Sequence, residues 1–395
     1  MADLYWDPFD IELDLDPYDT WKRMRDDAPL YRNDQYDFWA LSRFADVEAA
    51  HRDPKSFSSA HGTVLEIMTD DPYPGGQMIF LDAPEHTRLR ALVSRAFTPR
   101  RIEALEGRIR ELSADFLDRL SGRESFDYVQ DFAVYLPSMV ISSLLGVPLS
   151  DQEMLRKLID QVFHIEPGVG MVNDVSLTAQ IDINTYIRGQ LEECLRNPRD
   201  DMMTDLTVAE ITDDDGETRR LTIAEAADFS NLLISAGTET VARLLGWAAV
   251  VLEEYPDQRA ELAADPTLVP KAVEELLRYE APSPVQGRWL TREVELHGET
   301  LPVDAKVLLL TGSAGRDERA YPNADQFDIH RDIDLHVSFG YGIHFCIGAA
   351  LARMEGRIAL QETLARYPEW TVDREHAVRL HTSTVRGWQQ VPIQV

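Results

Sequence analysis

The sequence predicts a mainly α-helical protein with small β-sheets, and three observations carry that prediction. From about Pro84 onward, apolar residues recur at three- and four-residue spacing, punctuated by Pro, Gly and Asp clusters, which is the pattern of amphipathic helices. Strand-like runs are short and few. One segment, Ala224 to Glu254, stays largely apolar over 31 residues, about 46 Å of chain if wholly helical. No repeat and no Gly/Ser- or Pro-rich linker divides the chain, so residues 1–395 are expected to form a single domain.

Composition excludes several function classes. With 39 Lys and Arg against 69 Asp and Glu, the net charge is −30, and such a surface repels phosphate backbones and anionic lipid headgroups. Nucleic-acid binding is therefore not expected. The two cysteines, Cys194 and Cys346, supply neither a disulfide framework nor a Cys-rich zinc module and suit a reducing cytoplasm. Seven acids precede the first base, Lys22, where a signal peptide needs a basic start and an apolar run. A cytoplasmic protein without a membrane anchor is expected.

Taken in chain order, the first strand is expected at Tyr36 to Ser42 (YDFWALS). His86 to Arg110 holds seven arginines and two acids, a basic island on an acidic protein. Asp200 to Glu217 carries eight acids and no base and reads as a solvated loop. In Ala224–Glu254, Asn231, Glu239 and Arg243 interrupt the apolar run, so the segment is a central buried helix and not a membrane span. Its midpoint, Ala236-Gly237-Thr238-Glu239-Thr240, predicts local distortion, because Gly adds backbone freedom and a Thr hydroxyl captures the carbonyl four residues back. Val294 to Leu310, with a Gly-containing turn, and the C-terminal stretch ending VPIQV supply the remaining strands.

The strongest signal is Phe339 to Leu360, FGYGIHFCIGAALARMEGRIAL. Gly340 and Gly342 permit positive φ and close backbone approach to a flat ligand, and Cys346 stands where a helix begins, with Gly348 in its first turn. Orphan N–H groups and the positive helix end there lower a thiol pKa and keep the sulfur a metal ligand.

This stretch resembles the haem-binding loop of the cytochrome P450 family, FGxGxHxCxG, at Phe339, Gly340, Gly342, His344, Cys346 and Gly348. The resemblance extends over essentially the whole chain. Ala236 to Thr240 is similar to the family's distal-helix signature, and Glu275-Leu276-Leu277-Arg278 to its ExxR. The implied fold places haem between a long distal helix and a proximal Cys-ligand loop. Cys346 becomes the iron ligand, and Glu275, Arg278 and Arg331 form a structural triad. His86, Arg90, Arg288 and His344 hold the propionates, with Ala236, Gly237, Phe339 and Gly348 also against the cofactor, haem b (iron protoporphyrin IX).

The implied activity is that of a monooxygenase, inserting one O2-derived oxygen atom. Thr240 hydrogen-bonds at the oxygen site while Glu239 links it to solvent protons. Electrons are expected from a ferredoxin and its reductase, docking near the basic island, with Arg95 and Arg101 among its charges. The implied substrate pocket draws on Val64, Leu65, Met68, Phe163, Leu233, Val285, Gln286 and Val385. Acids such as Glu66, Asp70 and Asp71 and the absence of Lys or Arg in the two variable loops favour a neutral or cationic hydrophobic small molecule, such as a steroid, terpenoid, polyketide or aromatic metabolite. Two other readings stand beside this one. A non-oxygenating haem-thiolate sensor or ligand carrier would use the same ligation. A metal hydrolase would use His330, Asp332, Asp334, His336 and His344.

Overall fold

The computed structural model describes all residues except 1–3, 74–75, 95–96, 163–171 and 213–215, together with the side chain of His381. Helices dominate, as expected, and the longest runs from Ile223 to Glu254. Thr222 caps it: its hydroxyl accepts from the Glu225 N–H at 3.2 Å while the Glu225 carboxylate accepts from the Thr222 N–H at 2.8 Å. A reciprocal cap of this kind contributes about 1 kcal/mol.

This helix belongs to two cores. Its first half, through Ala226, Phe229, Leu233 and Ile234, packs with helices Leu149–Val162, Asp174–Arg196 and Met202–Val208. Its second half, from Val241 to Leu252, packs with Glu106–Asp118, Val269–Tyr279 and Ala349–Arg366. The Ala236–Thr240 signature lies at the changeover. Helix Tyr135–Leu145 spans both cores and meets the signature through Ile141.

The strand expectations hold in position. Phe38–Leu41 pairs antiparallel with Leu30–Asn33 and parallel with Lys306–Leu309 in a five-stranded sheet completed by Gln286–Leu290 and Phe57–Ser58. Val294–Leu296 and Glu299–Leu301 form a hairpin whose turn uses positive φ at His297 and Gly298. The C-terminus contributes the hairpin Val378–His381/Arg386–Gln390 and the strand Pro392–Gln394.

Three expectations change. Helices also form before Pro84, at Tyr18–Asp27 and Phe44–Arg52, because burial of Trp21, Met24 and Val47 outweighs their weak periodicity. The acidic run is not simply a loop: Asp201 caps helix Met202–Val208, and Glu210–Thr212 is a strand. The distal helix runs through its signature unbroken, although the Thr238 and Thr240 hydroxyls do donate to the carbonyls of Ile234 (2.8 Å) and Ala236 (3.0 Å). Tertiary packing on both sides holds the helical path against that local competition. Among the described residues, no helix is long and apolar enough to cross a membrane.

Candidate active site

A cavity of about 290 Å³ opens between the long helix and the segment leading into helix Ala349–Arg366. Ala236, Gly237 and Thr240 line one wall; Phe339, His344, Cys346 and Gly348 line the other. Gly237 owes its identity to space, since a Cβ there would lie 3.3 Å from Ile141.

The cysteine loop is shaped by its glycines. Gly340 and Gly342 have φ of 66° and 70°, a region costly for other residues, and a Cβ on Gly342 would collide with the His51 carbonyl. The Cys346 N–H donates to the Phe339 carbonyl at 2.9 Å. The helix proper starts at Ala349, with Gly348 as its N-cap, one residue later than expected. The Gly348 and Ala349 N–H groups, Arg90 and Arg353 all pull the Cys346 thiol pKa down, as the sequence implied, but the desolvating protein around the sulfur outweighs them and pushes it up even though the residue is exposed to the open cavity.

The same cavity gathers a cationic and hydrogen-bonding edge. Arg288 is buried, its guanidinium donates among the described residues only to the Gly287 carbonyl at 2.7 Å, and burial lowers its pKa to about 10. Both ring nitrogens of His86 and the Nε2 of His344 are buried without partners among the described residues. The two rings lie 4.2 Å apart, and burial, followed by Arg288, pushes His344 down to about 2. Arg90 lines the cavity with no acid beside it among the described residues. Unpaired donors of this kind are costly unless something anionic meets them.

Beneath the cysteine loop the ExxR residues form a closed ion cluster. Arg278 Nε and Nη2 reach the Glu275 carboxylate at 2.6 and 2.7 Å, and Arg331 Nε reaches it at 3.1 Å. Glu275 and Arg278 are fully buried. The remaining guanidinium hydrogens go to the carbonyls of Gly315, Ala324, Gln326, Pro322 and Asn323, so the cluster ties three chain segments together.

The five residues of the hydrolase reading disperse. His330 meets Glu261, Asp332 meets Lys271 and His336 meets Glu274, while Asp334 is exposed and His344 faces the cavity. Among the described residues, no group of three His, Cys, Asp or Glu side chains could hold a metal ion.

The family model for cytochrome P450 matches residues 34–395. The chain belongs to the cytochrome P450 family. It is 41% identical over 396 residues to "Putative cytochrome P450 123" of Mycobacterium tuberculosis, covering 100% of this chain and 97% of that protein. It is 37% identical over 378 residues to the erythromycin C-12 hydroxylase of Saccharopolyspora erythraea, covering 94% and 92%. Among solved structures, cytochrome P450 CYP109Q5 of Chondromyces apiculatus superposes with a TM-score of 0.89 at 33% identity, covering 98% of this chain and 97% of that one. The protein is thus an oxidoreductase of the haem-iron monooxygenase type.

The cavity of this cytochrome P450 fits a haem. A thiol donor faces apolar walls, and the orphaned His86 and His344 nitrogens with Arg90 and Arg288, neither of them in a salt bridge among the described residues, suit the propionate edge of the group.

Several residues stand elsewhere than expected. Of the substrate-pocket set, Leu233 and Gln286 line the cavity. Phe163 lies outside the described residues. Leu65 and Val285 are packed with Trp6 and Trp21 in a separate core, Met68 is buried near Gly287, Val385 is buried, and Val64 is off the wall. Their places are taken by Met78, Ile79, Phe97, Ile141, Phe229 and Leu232. Nor do Glu66, Asp70 and Asp71 face the cavity; all three are exposed.

Glu239 is neither solvated nor on the cavity wall. It is 7% exposed and accepts a 2.8 Å bond from Arg243 Nε, with Nη2 on the same oxygen. Burial pushes its carboxyl up and Arg243 opposes the shift. The pairing was legible as an i,i+4 relation on one helix. Glu355, nine residues beyond Cys346, also lines the cavity; only tertiary packing reveals it. The basic island is largely neutralised: Arg101 pairs with Asp205, Arg108 with Glu111, and Arg110 with Glu362, while Arg90 faces the cavity and Arg95 lies outside the described residues.

Proposed function

We propose that this monooxygenase holds haem b through Cys346 and oxidises a neutral or cationic hydrophobic small molecule, of steroid, terpenoid, polyketide or aromatic type, in the cytoplasm, with electrons from a ferredoxin and its reductase. The observation that carries the substrate reading is the charge inventory of the cavity. Among the described residues its Arg, Lys, Asp and Glu side chains are Arg90, Arg288 and Glu355, the last held toward its neutral form by burial, beside a wall of Met78, Ile79, Phe97, Ile141, Phe229 and Leu232. Once the haem propionates engage the two arginines, no cation is left for a substrate carboxylate, whose burial without a partner costs several kcal/mol. Glu66, Asp70 and Asp71 take no part in this selection, since they are exposed and off the cavity wall. Erythromycin, named for the Saccharopolyspora hydroxylase, is consistent with a bulky organic substrate class.

In matched pairs, a methyl ester or amide is expected to bind the ferric protein about tenfold or more tightly than the free acid, read by spectral titration. Consistently tighter binding of the acids would overturn the substrate reading.

When bound, the haem supplies the oxygen-activating chemistry; the residues around it place substrate and protons. Thr240 presents its hydroxyl at the cavity wall, three residues beyond Gly237. Behind it Glu239, with Arg243 and the nearby Asp160 of helix Leu149–Val162, handles protons. Thr240→Ala is expected to keep substrate affinity while product per electron falls about tenfold and released hydrogen peroxide rises correspondingly. Coupling equal to wild type would remove Thr240 from proton handling.

A further inference from the structure

Helix Phe44–Arg52 ends against the outer face of the cysteine loop, and its last two residues fasten it there. Arg52 Nη2 donates to the Tyr341 hydroxyl at 3.2 Å, and the guanidinium lies 4.5 Å from the centre of the Tyr341 ring. One residue earlier, the His51 carbonyl occupies the place that a Cβ on Gly342 would need. His51 is thereby fixed relative to the loop that carries Cys346.

Packing alone does not account for its side chain. The ring is 4% exposed, and neither Nδ1 nor Nε2 has a hydrogen-bond partner among the described residues. In either neutral tautomer an imidazole carries one N–H donor and one bare nitrogen, and burying both unmet is costly. An apolar side chain, like those of Val47 and Ala50 buried on the same helix, would fill the space without that cost. A histidine here calls for a partner.

Its position identifies one. A Cβ on Gly340 would lie 3.6 Å from His51 Cε1 and 3.7 Å from Gln286 Oε1, so ring and amide converge on the space that the glycine leaves open. Gln286 and Arg288 alternate along one strand, and both line the cavity. The ring itself stands behind that lining. Burial, followed by Arg288, pushes His51 down to about 3, and His51 is in turn among the groups that push His344 down. A neutral ring with an idle N–H therefore borders the edge where Arg288, His344 and His86 gather. Among the described residues, no acid offsets Arg288 at His51, and a carboxylate brought to this edge would do so.

We propose that His51 is a further haem-holding residue of this cytochrome P450, its N–H donating to a propionate carboxylate seated beside Arg288 and Gln286. A neutral donor on a charged acceptor makes one of the stronger hydrogen bonds. The contact comes from behind the cysteine loop, whereas His86, Arg90, Arg288 and His344 all stand on the cavity wall. It therefore links helix Phe44–Arg52 to the cofactor as well as to the loop. The inference rests on haem occupying the cavity, which the ferrous–CO band of the wild type tests separately.

The test follows haem release from the ferric holoenzyme into excess serum albumin, for wild type, His51→Phe and His51→Gln. Each is loaded either with haem or with haem dimethyl ester, whose esterified propionates carry no charge. With haem, His51→Phe is expected to release about tenfold or more faster than wild type, and His51→Gln, which keeps an N–H, to fall between. With the dimethyl ester, wild type and His51→Phe are expected to release within about twofold of each other. Unchanged haem release from His51→Phe would overturn the proposal. An equal acceleration with the ester would overturn it too, by assigning the ring to packing. Should His51→Phe fail to fold, His51→Leu is read by the same two criteria. A wild type that binds haem without the red-shifted ferrous–CO band would instead strike the thiolate reading and leave the release comparison to decide on His51.

Discussion

Glu275→Ala is expected to lower the stability of the protein by about 3–5 kcal/mol, the usual effect of removing one partner from a buried ion pair. Glu275 is wholly buried and serves two guanidinium groups, Arg278 at 2.6 and 2.7 Å and Arg331 at 3.1 Å; its carboxylate also accepts from the Asp328 N–H at 2.9 Å. Removing it leaves both cations with carbonyl partners alone. Against a total stability of about 5–15 kcal/mol, that loss brings the variant near the threshold of folding, and haem content should drop with it. Glu275→Gln keeps an acceptor but no charge and is expected to fall between. Urea titration of the three proteins measures the effect; a loss under about 1 kcal/mol in the Ala variant would mean that the carbonyls suffice.

How much of this was readable in the sequence depends on how local each feature is. The cysteine loop was legible because its determinants lie within ten consecutive residues: the positive φ of Gly340 and Gly342 and the position of Cys346 before a helix follow from residue type. The triad was legible because Glu275 and Arg278 share a helix face, although Arg331 arrives from a distant segment. The cavity wall was not. Val285 and Gln286 are adjacent, yet Gln286 lines the cavity while Val285 enters the core with Trp21. In extended chain successive side chains point oppositely, so an error of one position reverses inside and outside. The pairing within the basic island was illegible for a related reason: the acids that meet Arg101 and Arg110, Asp205 and Glu362, are far away in sequence. Glu239 is expected from the sequence to link the site to solvent, whereas Arg243, one turn on, holds it in a buried ion pair.

On the proposed reading, Cys346 would supply the thiolate ligand of a haem held between the long helix and helix Ala349–Arg366. Each wall of the cavity depends on it: the Gly348 and Ala349 N–H groups act on its sulfur, and the unpartnered donors of His86 and His344 border the same space. A thiolate donates electron density to iron in a way that an imidazole cannot, and the ferrous–CO spectrum reports that difference. Cys194 supplies the control: it is 1% exposed, off the cavity wall, with Arg199 Nη2 3.0 Å from its sulfur. The decisive measurement is the dithionite-reduced CO difference spectrum of wild type, Cys346→His and Cys194→Ser. The red-shifted Soret band is expected in the wild type and in Cys194→Ser and is expected to be lost in Cys346→His; a Cys346→His protein that keeps that band would contradict the assignment.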